Sequence, residues 1–277
     1  MKKAIISILI LFTVSNAYAL DYTLETSTKP VTRFQLPSNF STDASLFFYC
    51  PFNEGSGTTP MDIANVNIGS MTLNGSGATY TTSGMFGAAL NTSANAKNYA
   101  GFHCPAYNIG NSSFTINMWV YPTHDATPGR DTLISGEQGG MQVCPFLLYM
   151  NGNGRWAAEG FAATEATYVF LHTLILGDQL KKDTWTMVTV VRWIDTPLHT
   201  DNCEIYFNGI QCTRYAPDSH TSENEIVTNN IYPIEIGRGV REGDTSFQGY
   251  IDEVAIWKRA LSLAEIRDIY RRGSGGN

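Results

Sequence analysis

Carboxylates, aromatic rings and thiols are the groups in this chain with chemistry to offer, and their spacing limits what each can do. Hydrolysis of a glycosidic bond takes two carboxyl groups facing each other across it, about 5–5.5 Å apart for retention and wider for inversion. The acidic runs nearest to such a pair, Glu204-Ile-Tyr-Phe207 and Glu223-Asn-Glu225, read as solvated surface. No Gly-x-Ser-x-Gly elbow is present and the five histidines lie in polar loops or alone on strands, so a Ser/His/Asp triad has no support either. The expectation is a protein that is not an enzyme. Binding a sugar needs an aromatic plane against the apolar face of the ring, with amides, acids or Arg reading the hydroxyls. Tyr149 and Trp156 flank Asn151-Gly-Asn-Gly154. A hairpin loop of two or of four residues puts them directly opposite each other on one face, either as a ligand platform or as a core pair. Trp119 poses the same choice, since Thr115, Asn117, Trp119 and Tyr121 alternate with the apolar set Phe114, Ile116, Met118 and Val120.

The five cysteines include no Cys-x-x-Cys. Cys203 and Cys212 bracket Asn208-Gly209, a strong signal for a two-residue hairpin turn. That turn sets Ile205 against Cys212 and leaves Cys203 diagonal to it, where a twisted or bulged hairpin could join the sulfurs. A Cys203–Cys212 disulfide is the first expectation and Cys50–Cys104 the second, leaving Cys144 over.

The elements that must position these groups are mostly short strands punctuated by Gly, Asn and Pro: 46–52, 72–73, 88–91, 99–103, 114–121, 132–136, 146–150, 155–159, 167–176, 185–193, 203–207, 210–215, 234–236 and 249–257. In the last, strict alternation would put Tyr250, Asp252, Val254 and Ile256 on one face and Ile251, Glu253, Ala255 and Trp257 on the other. After it, Ser262 and Glu265 have the spacing of a capping box, and Ile266, Ile269 and Tyr270 form the apolar stripe of one short helix. So many short strands argue for an all-β sandwich with Greek-key connections.

Met1-Lys-Lys3, the apolar run from Ala4 to Val14 and the small residues of Ala17-Tyr-Ala19 read as a signal peptide over residues 1–19, so a secreted or cell-surface protein, bacterial in type, is expected. Residues 20–44 read as an edge strand or an arm, 45–272 as the domain and 273–277 as a flexible tail. Net charge is −7 with scattered basic residues, which makes nucleic acid and anionic membranes poor partners, and no later segment could span a membrane. Only 16% of residues are charged, while Asn, Thr, Ser, Gly and aromatics abound, a surface suited to neutral polyhydroxyl ligands.

Gly249-Tyr-Ile-Asp-Glu-Val254, Trp257 and Arg259-Ala-Leu-Ser262 resemble the end of laminin-G-like domains of the concanavalin A-like lectin/glucanase superfamily. In the right order upstream stand Phe52-Asn-Glu-Gly-Ser-Gly57, Phe114 to Pro122, Leu133-Ile-Ser135, Trp185 to Val190, Tyr206-Phe-Asn-Gly209 and Ile236-Gly-Arg238. The resemblance implies a two-sheet antiparallel jelly-roll sandwich, concanavalin A-like, closed by one short C-terminal helix. Retaining enzymes of that fold usually show Glu-x-Asp-x-x-Glu along one strand, and nothing here matches it. The resemblance also implies a structural calcium ion, with Asp252 meeting Glu54 and Asp62 and with Asn65, Asn67 or loop carbonyls filling the shell. Against it, the acidic loop lacks the glycines usual in relatives, and Asp252 could instead accept backbone hydrogen bonds at a strand corner. Two functions follow as expectations. The first is a secreted binding module for glycan or another extracellular surface ligand, with Tyr149, Trp156 and Trp119 as ligand contacts. The second is a structural or adhesive surface protein assembling through residues 20–44 by strand addition.

Overall fold

The computed structural model describes residues 40, 42–64, 71–74, 78–93, 99–102, 113–124, 130–135, 147–151, 156–161, 168–174, 180–193, 203–212, 234–238 and 244–275. The signal peptide and residues 20–39 of the expected arm lie outside them, as do Cys104, Cys144, Asn65 and Asn67. In chain order the strands are β1 (Leu46–Cys50), β2 (Thr72–Asn74), β3 (Thr79–Thr81), β4 (Ala89–Asn91), β5 (Tyr99–Phe102), β6 (Phe114–Pro122), β7 (Arg130–Ser135), β8 (Leu147–Asn151), β9 (Trp156–Phe161), β10 (Tyr168–Leu174), β11 (Thr186–Arg192), β12 (Cys203–Phe207), β13 (Ile210–Gln211), β14 (Ile234–Ile236), β15 (Asp244–Ser246) and β16 (Gly249–Trp257). One helix, α1 (Leu263–Ser274), follows.

They form two eight-stranded sheets. The first runs β13-β12-β11-β6-β16-β4-β3 with β1 also on β16; the second runs β10-β9-β8-β7-β14-β5-β2 with β15 on β7. All pairings are antiparallel except β15 with β7. Consecutive strands fall in different sheets repeatedly, so the two inner faces close over one core. Phe48, Leu90, Met118, Val190 and Ile256 of the first sheet pack there with Leu133, Ile134, Leu148, Ile234 and Ile236 of the second. Every strand expected from periodicity is present, and the all-β jelly-roll sandwich, with one short helix after its last strand, is the observed fold. β3 and β15, three residues each, were too short and polar to announce themselves.

Outside the first sheet lies a second apolar layer, which binds α1. Ile266 and Ile269 of the helix pack with Trp119, Met187, Ala255 and Trp257. The helix starts where expected: Ser262 Oγ accepts from the Glu265 backbone N–H, and the Glu265 carboxylate accepts from the Ser262 N–H at 2.7 Å. It continues to Ser274, so residues 273–274 belong to the helix and not to a tail. Gly273 is buried, and a Cβ there would come within 2.8 Å of Trp119 Cζ2, so the close approach of helix and ring favours glycine.

Residues 40 and 42–44, expected in the arm, belong to the domain. Phe40 is buried edge-on against Trp257, at a centroid distance of 6.4 Å, and Asp43 Oδ2 accepts from Arg259 Nη2 at 2.6 Å and Nε at 2.8 Å. Burial of one aromatic ring and one ion pair fixes this stretch, where sequence periodicity was too weak to indicate it.

The Asn208-Gly209 turn forms with both residues at positive φ, 52° and 73°, and the Cys212 N–H donates to the Ile205 carbonyl at 2.9 Å. Cys203 therefore sits on the diagonal, where cross-strand Cα separations run about 7–8 Å and exceed the usual reach of a disulfide. No disulfide is seen among the described residues, so the Cys203–Cys212 bridge has no support. Cys50 is a free, fully buried thiol. Burial pushes its pKa well up, and the charges of Glu54, Asp62 and Glu253 add to the shift.

Candidate functional site

β16 is where the acids gather, and the strand does not alternate strictly there. It pairs with β6 as Asp252 to Trp119 and then Ala255 to Asn117, so Glu253 and Val254 together stand opposite Met118. This is a β-bulge, with Glu253 at φ 52° in the left-handed region. The extra residue resets the phase. Ile251, Val254 and Ile256 all reach the central core, whereas Ala255 and Trp257 face the helix layer. The expected faces are thus right up to Asp252, and from Val254 onward each residue lies on the other side of Glu253 from where a flat strand would put it. An acidic pair in the middle of an apolar strand was the signal for a bulge.

The bulge spends Asp252 on the backbone. Its Oδ2 accepts from the Phe86 N–H at 3.0 Å and its Oδ1 from the Glu253 N–H at 2.9 Å, with the Met85 N–H as a further donor. These bonds fasten the 82–88 turn over the first sheet, where Phe86 meets Trp119 edge-on at 5.9 Å. Glu253, which sequence reasoning passed over, accepts from the Tyr49 hydroxyl through Oε2, while its Oε1 is buried without a hydrogen-bond partner. Burial raises the pKa of both acids well above the ordinary carboxylate range, and the Asp252 charge raises Glu253 further.

Glu54 and Asp62 lie on the neighbouring loop. Asp62 Oδ1 accepts from the N–H groups of Tyr49 at 2.9 Å and Ala64 at 3.0 Å, and Glu54 Oε1 from that of Met61 at 2.8 Å. The second oxygens, Asp62 Oδ2 and Glu54 Oε2, are buried without a hydrogen-bond partner. Burial raises the Asp62 pKa, and burial together with the charge of Glu54 raises that of Tyr80. Two acids thus each keep one oxygen open, but among the described residues no three acids, Cys or His converge closely enough to hold a metal ion. Backbone donors engage both oxygens of Asp252, which is the alternative to calcium ligation that the sequence offered for it.

The aromatic candidates separate. Trp119 is only 2% exposed, stacked on Tyr270 at 5.9 Å and covered by the last turn of α1, so it is a packing residue and not a ligand platform. Tyr149 pairs with Ala157 and Trp156 with Met150. The number of residues between Met150 and Trp156 is odd, which shifts the register by one from that of a two- or four-residue loop. Tyr149 and Trp156 are therefore no cross-strand pair in this register. On the outer side Glu235, between the core residues Ile234 and Ile236, pairs with Ser135. Ser135 Oγ donates to the Arg238 carbonyl at 2.9 Å, and Arg238 Nε lies 3.8 Å from Glu235 Oε2.

Residues 95–267 match the family model described as the concanavalin A-like lectin/glucanases superfamily. Among solved structures, domain 4 of AbnA, an extracellular GH43 arabinanase from Geobacillus stearothermophilus in complex with arabinotriose, is similar with a TM-score of 0.57 and 17% identity. The match covers 82% of this chain and 98% of that domain. The binding domain of botulinum neurotoxin DC, in complex with rat synaptotagmin II, gives 0.57 at 14% identity, over 83% of this chain and 52% of that one. The sialidase of Trypanosoma rangeli, in complex with sialic acid, gives 0.55 at 14% identity, over 85% of this chain and 33% of the enzyme. At these identities the likeness is one of fold. No curated protein matches the chain.

Proposed function

Since the chain belongs to the concanavalin A-like lectin/glucanase superfamily, we propose that it is an extracellular, non-catalytic binding module for glycan. The observation that carries this reading is the near-complete coverage, 98%, of a domain whose structure holds arabinotriose. The toxin binding domain and the sialidase, in complex with synaptotagmin II and with sialic acid, support recognition on the same scaffold and leave a surface protein as the second partner class. The chemistry of the described acids agrees with binding. Asp252, Asp62, Glu54 and Glu265 accept backbone hydrogen bonds, and Asp43 is tied to Arg259, so these carboxylates shape loops and helix ends. Among the described residues no helix is long and apolar enough to cross a membrane. Secretion through residues 1–19 is part of the proposal. An adhesive role through strand addition would rest on residues 20–39, because Phe40 and Asp43 are already docked.

The purified chain is expected to be retarded in gels containing a soluble neutral polysaccharide, arabinan first, and to release no reducing ends from it on long incubation. Retardation by none of a panel of neutral and acidic polysaccharides would refute glycan binding; steady release of reducing ends would refute the non-catalytic assignment.

Calcium enters this proposal in a narrow form. The oxygens open to a hard cation are Glu54 Oε2 and Asp62 Oδ2, which backbone carbonyls would have to supplement. Calcium should then raise Tm and EGTA lower it in the wild type and in Asp252→Asn alike, with no response in Glu54→Gln. A wild-type Tm indifferent to both reagents would remove calcium from the account.

A further inference from the structure

The outer face of the first sheet is covered by α1 only in part. Along β6 the outward residues are Thr115, Asn117, Trp119 and Tyr121; the first three are buried, and the helix ends over Trp119 at Gly273. One row further on, Tyr121 emerges half-buried. Register puts Tyr250 of β16 beside it, and Trp185, just before β11, flanks its other side. The rings are in contact: Tyr121 lies parallel to Tyr250 at a centroid distance of 5.4 Å, and Trp185 is tilted by 53° against Tyr121 at 5.5 Å. All three are half-buried. Beyond Tyr250 the row continues through Asn91 of β4 and exposed Thr79 of β3. Asn91 Oδ1 accepts from both the N–H and the hydroxyl of Ser93, which fixes its amide at the edge of the rings.

We propose that the row Trp185–Tyr121–Tyr250–Asn91 is the glycan contact of this domain, and that its ligand is a neutral oligosaccharide. This rests on the glycan-binding reading and adds to it a place and a ligand class. Tyr121 and Tyr250 stand on paired strands and Trp185 at the foot of a third, so the row is held by sheet hydrogen bonds and needs little ordering on binding. Half-buried aromatic rings carry apolar surface that water solvates poorly, and the C–H face of a sugar ring can cover it while its hydroxyls stay wet. The row contains no charged side chain, only phenol, indole, amide and hydroxyl groups, which fits a neutral polyhydroxyl ligand better than an anionic one or a charged peptide.

The test is affinity electrophoresis of the full chain in soluble arabinan and in a soluble neutral β-glucan, with Tm recorded for every variant. Trp185→Ala and Tyr121→Leu are expected to weaken the binding seen in the wild type at least tenfold. Trp185→Phe, which keeps a ring, should lose less than Trp185→Ala. Glu235→Gln on the second sheet should bind as the wild type does. If Trp185→Ala or Tyr121→Leu unfolds, Tyr250→Phe and Asn91→Ala at the edge of the row replace it, and Asn91→Ala is expected to weaken binding severalfold. Binding unchanged in the folded row variants, or lost in Glu235→Gln alone, would overturn this site while leaving the glycan reading intact. A wild type bound by neither polysaccharide but by an acidic one would overturn the ligand class, and one bound by no polysaccharide would overturn the reading on which the site depends.

Discussion

Replacing Asp252 by alanine is expected to destabilise the domain by about 3 kcal/mol or more, since each buried donor left without an acceptor costs roughly 1–3 kcal/mol. The carboxylate is fully buried and accepts from Phe86 and Glu253, with Met85 as a third donor. Alanine offers none of them an acceptor, and the 82–88 turn that carries Phe86 onto Trp119 loses its attachment to β16. Asp252→Asn should cost less, because its amide oxygen can keep one or two of the bonds. Urea unfolding followed by tryptophan fluorescence reads both effects, and earlier proteolysis within 82–88 should accompany the alanine variant. An alanine variant as stable as the wild type would show that the bonds to Asp252 do not hold the turn. If Asp252 acts through these backbone bonds, the loss should be the same with and without EGTA.

Stability is expected to fall as pH rises above the ordinary carboxylate range, and Glu253→Gln to flatten that fall and raise Tm at neutral pH. Asp252 and Glu253 have raised pKa values in the folded state because burial penalises their charged forms, and Glu253 also feels Asp252. Above the unfolded values, about 3.9 and 4.3, the unfolded chain has lost protons that the folded chain still holds. The stability these acids contribute is therefore complete below about pH 4 and is lost as pH rises through the raised folded values, at up to about 1.4 kcal/mol per pH unit for each proton. Asp43, Glu265 and Asp268 have lowered values and act in the opposite sense, losing their contribution below about pH 4. They are partly exposed and ion-paired, so solvent screening keeps that contribution small. The maximum should fall in mildly acidic solution. A glutamine side chain in place of Glu253 can still accept the Tyr49 hydroxyl proton, so Glu253→Gln removes charge without removing the bond. A pH profile identical in wild type and Glu253→Gln would mean that Glu253 does not titrate in this range.

Much of the scaffold was legible because its cause is local. Phe114, Ile116, Met118 and Val120 alternate and line the core, Asn208-Gly209 makes the turn it announces, and Ser262 with Glu265 caps the helix. The candidate sites were less legible. A bulge at Glu253 changes which face every later residue of β16 occupies, and period-2 reading assumes no bulge. One residue of register separates a Tyr149–Trp156 pair from the observed Tyr149–Ala157, and loop length was the unknown. Trp119 and Tyr121 are equivalent in pattern, two residues apart on the outer face of β6, yet one is sealed and the other half-exposed.

By itself, then, the sequence determined all the strands but β3 and β15, the turn, the capped helix and the family, since dihedral preferences, capping and alternation act over a few residues. Tertiary structure alone decided that Asp252 serves backbone donors, that Phe40 and Asp43 belong to the domain, and that the helix stops one row short of Tyr121, Tyr250 and Trp185. The physical reason is that exposure and hydrogen-bond partnership depend on which distant segment lies on a face. Where α1 comes to rest is fixed by the summed packing of Ile266, Ile269, Trp119 and Trp257, contacts far apart in the chain.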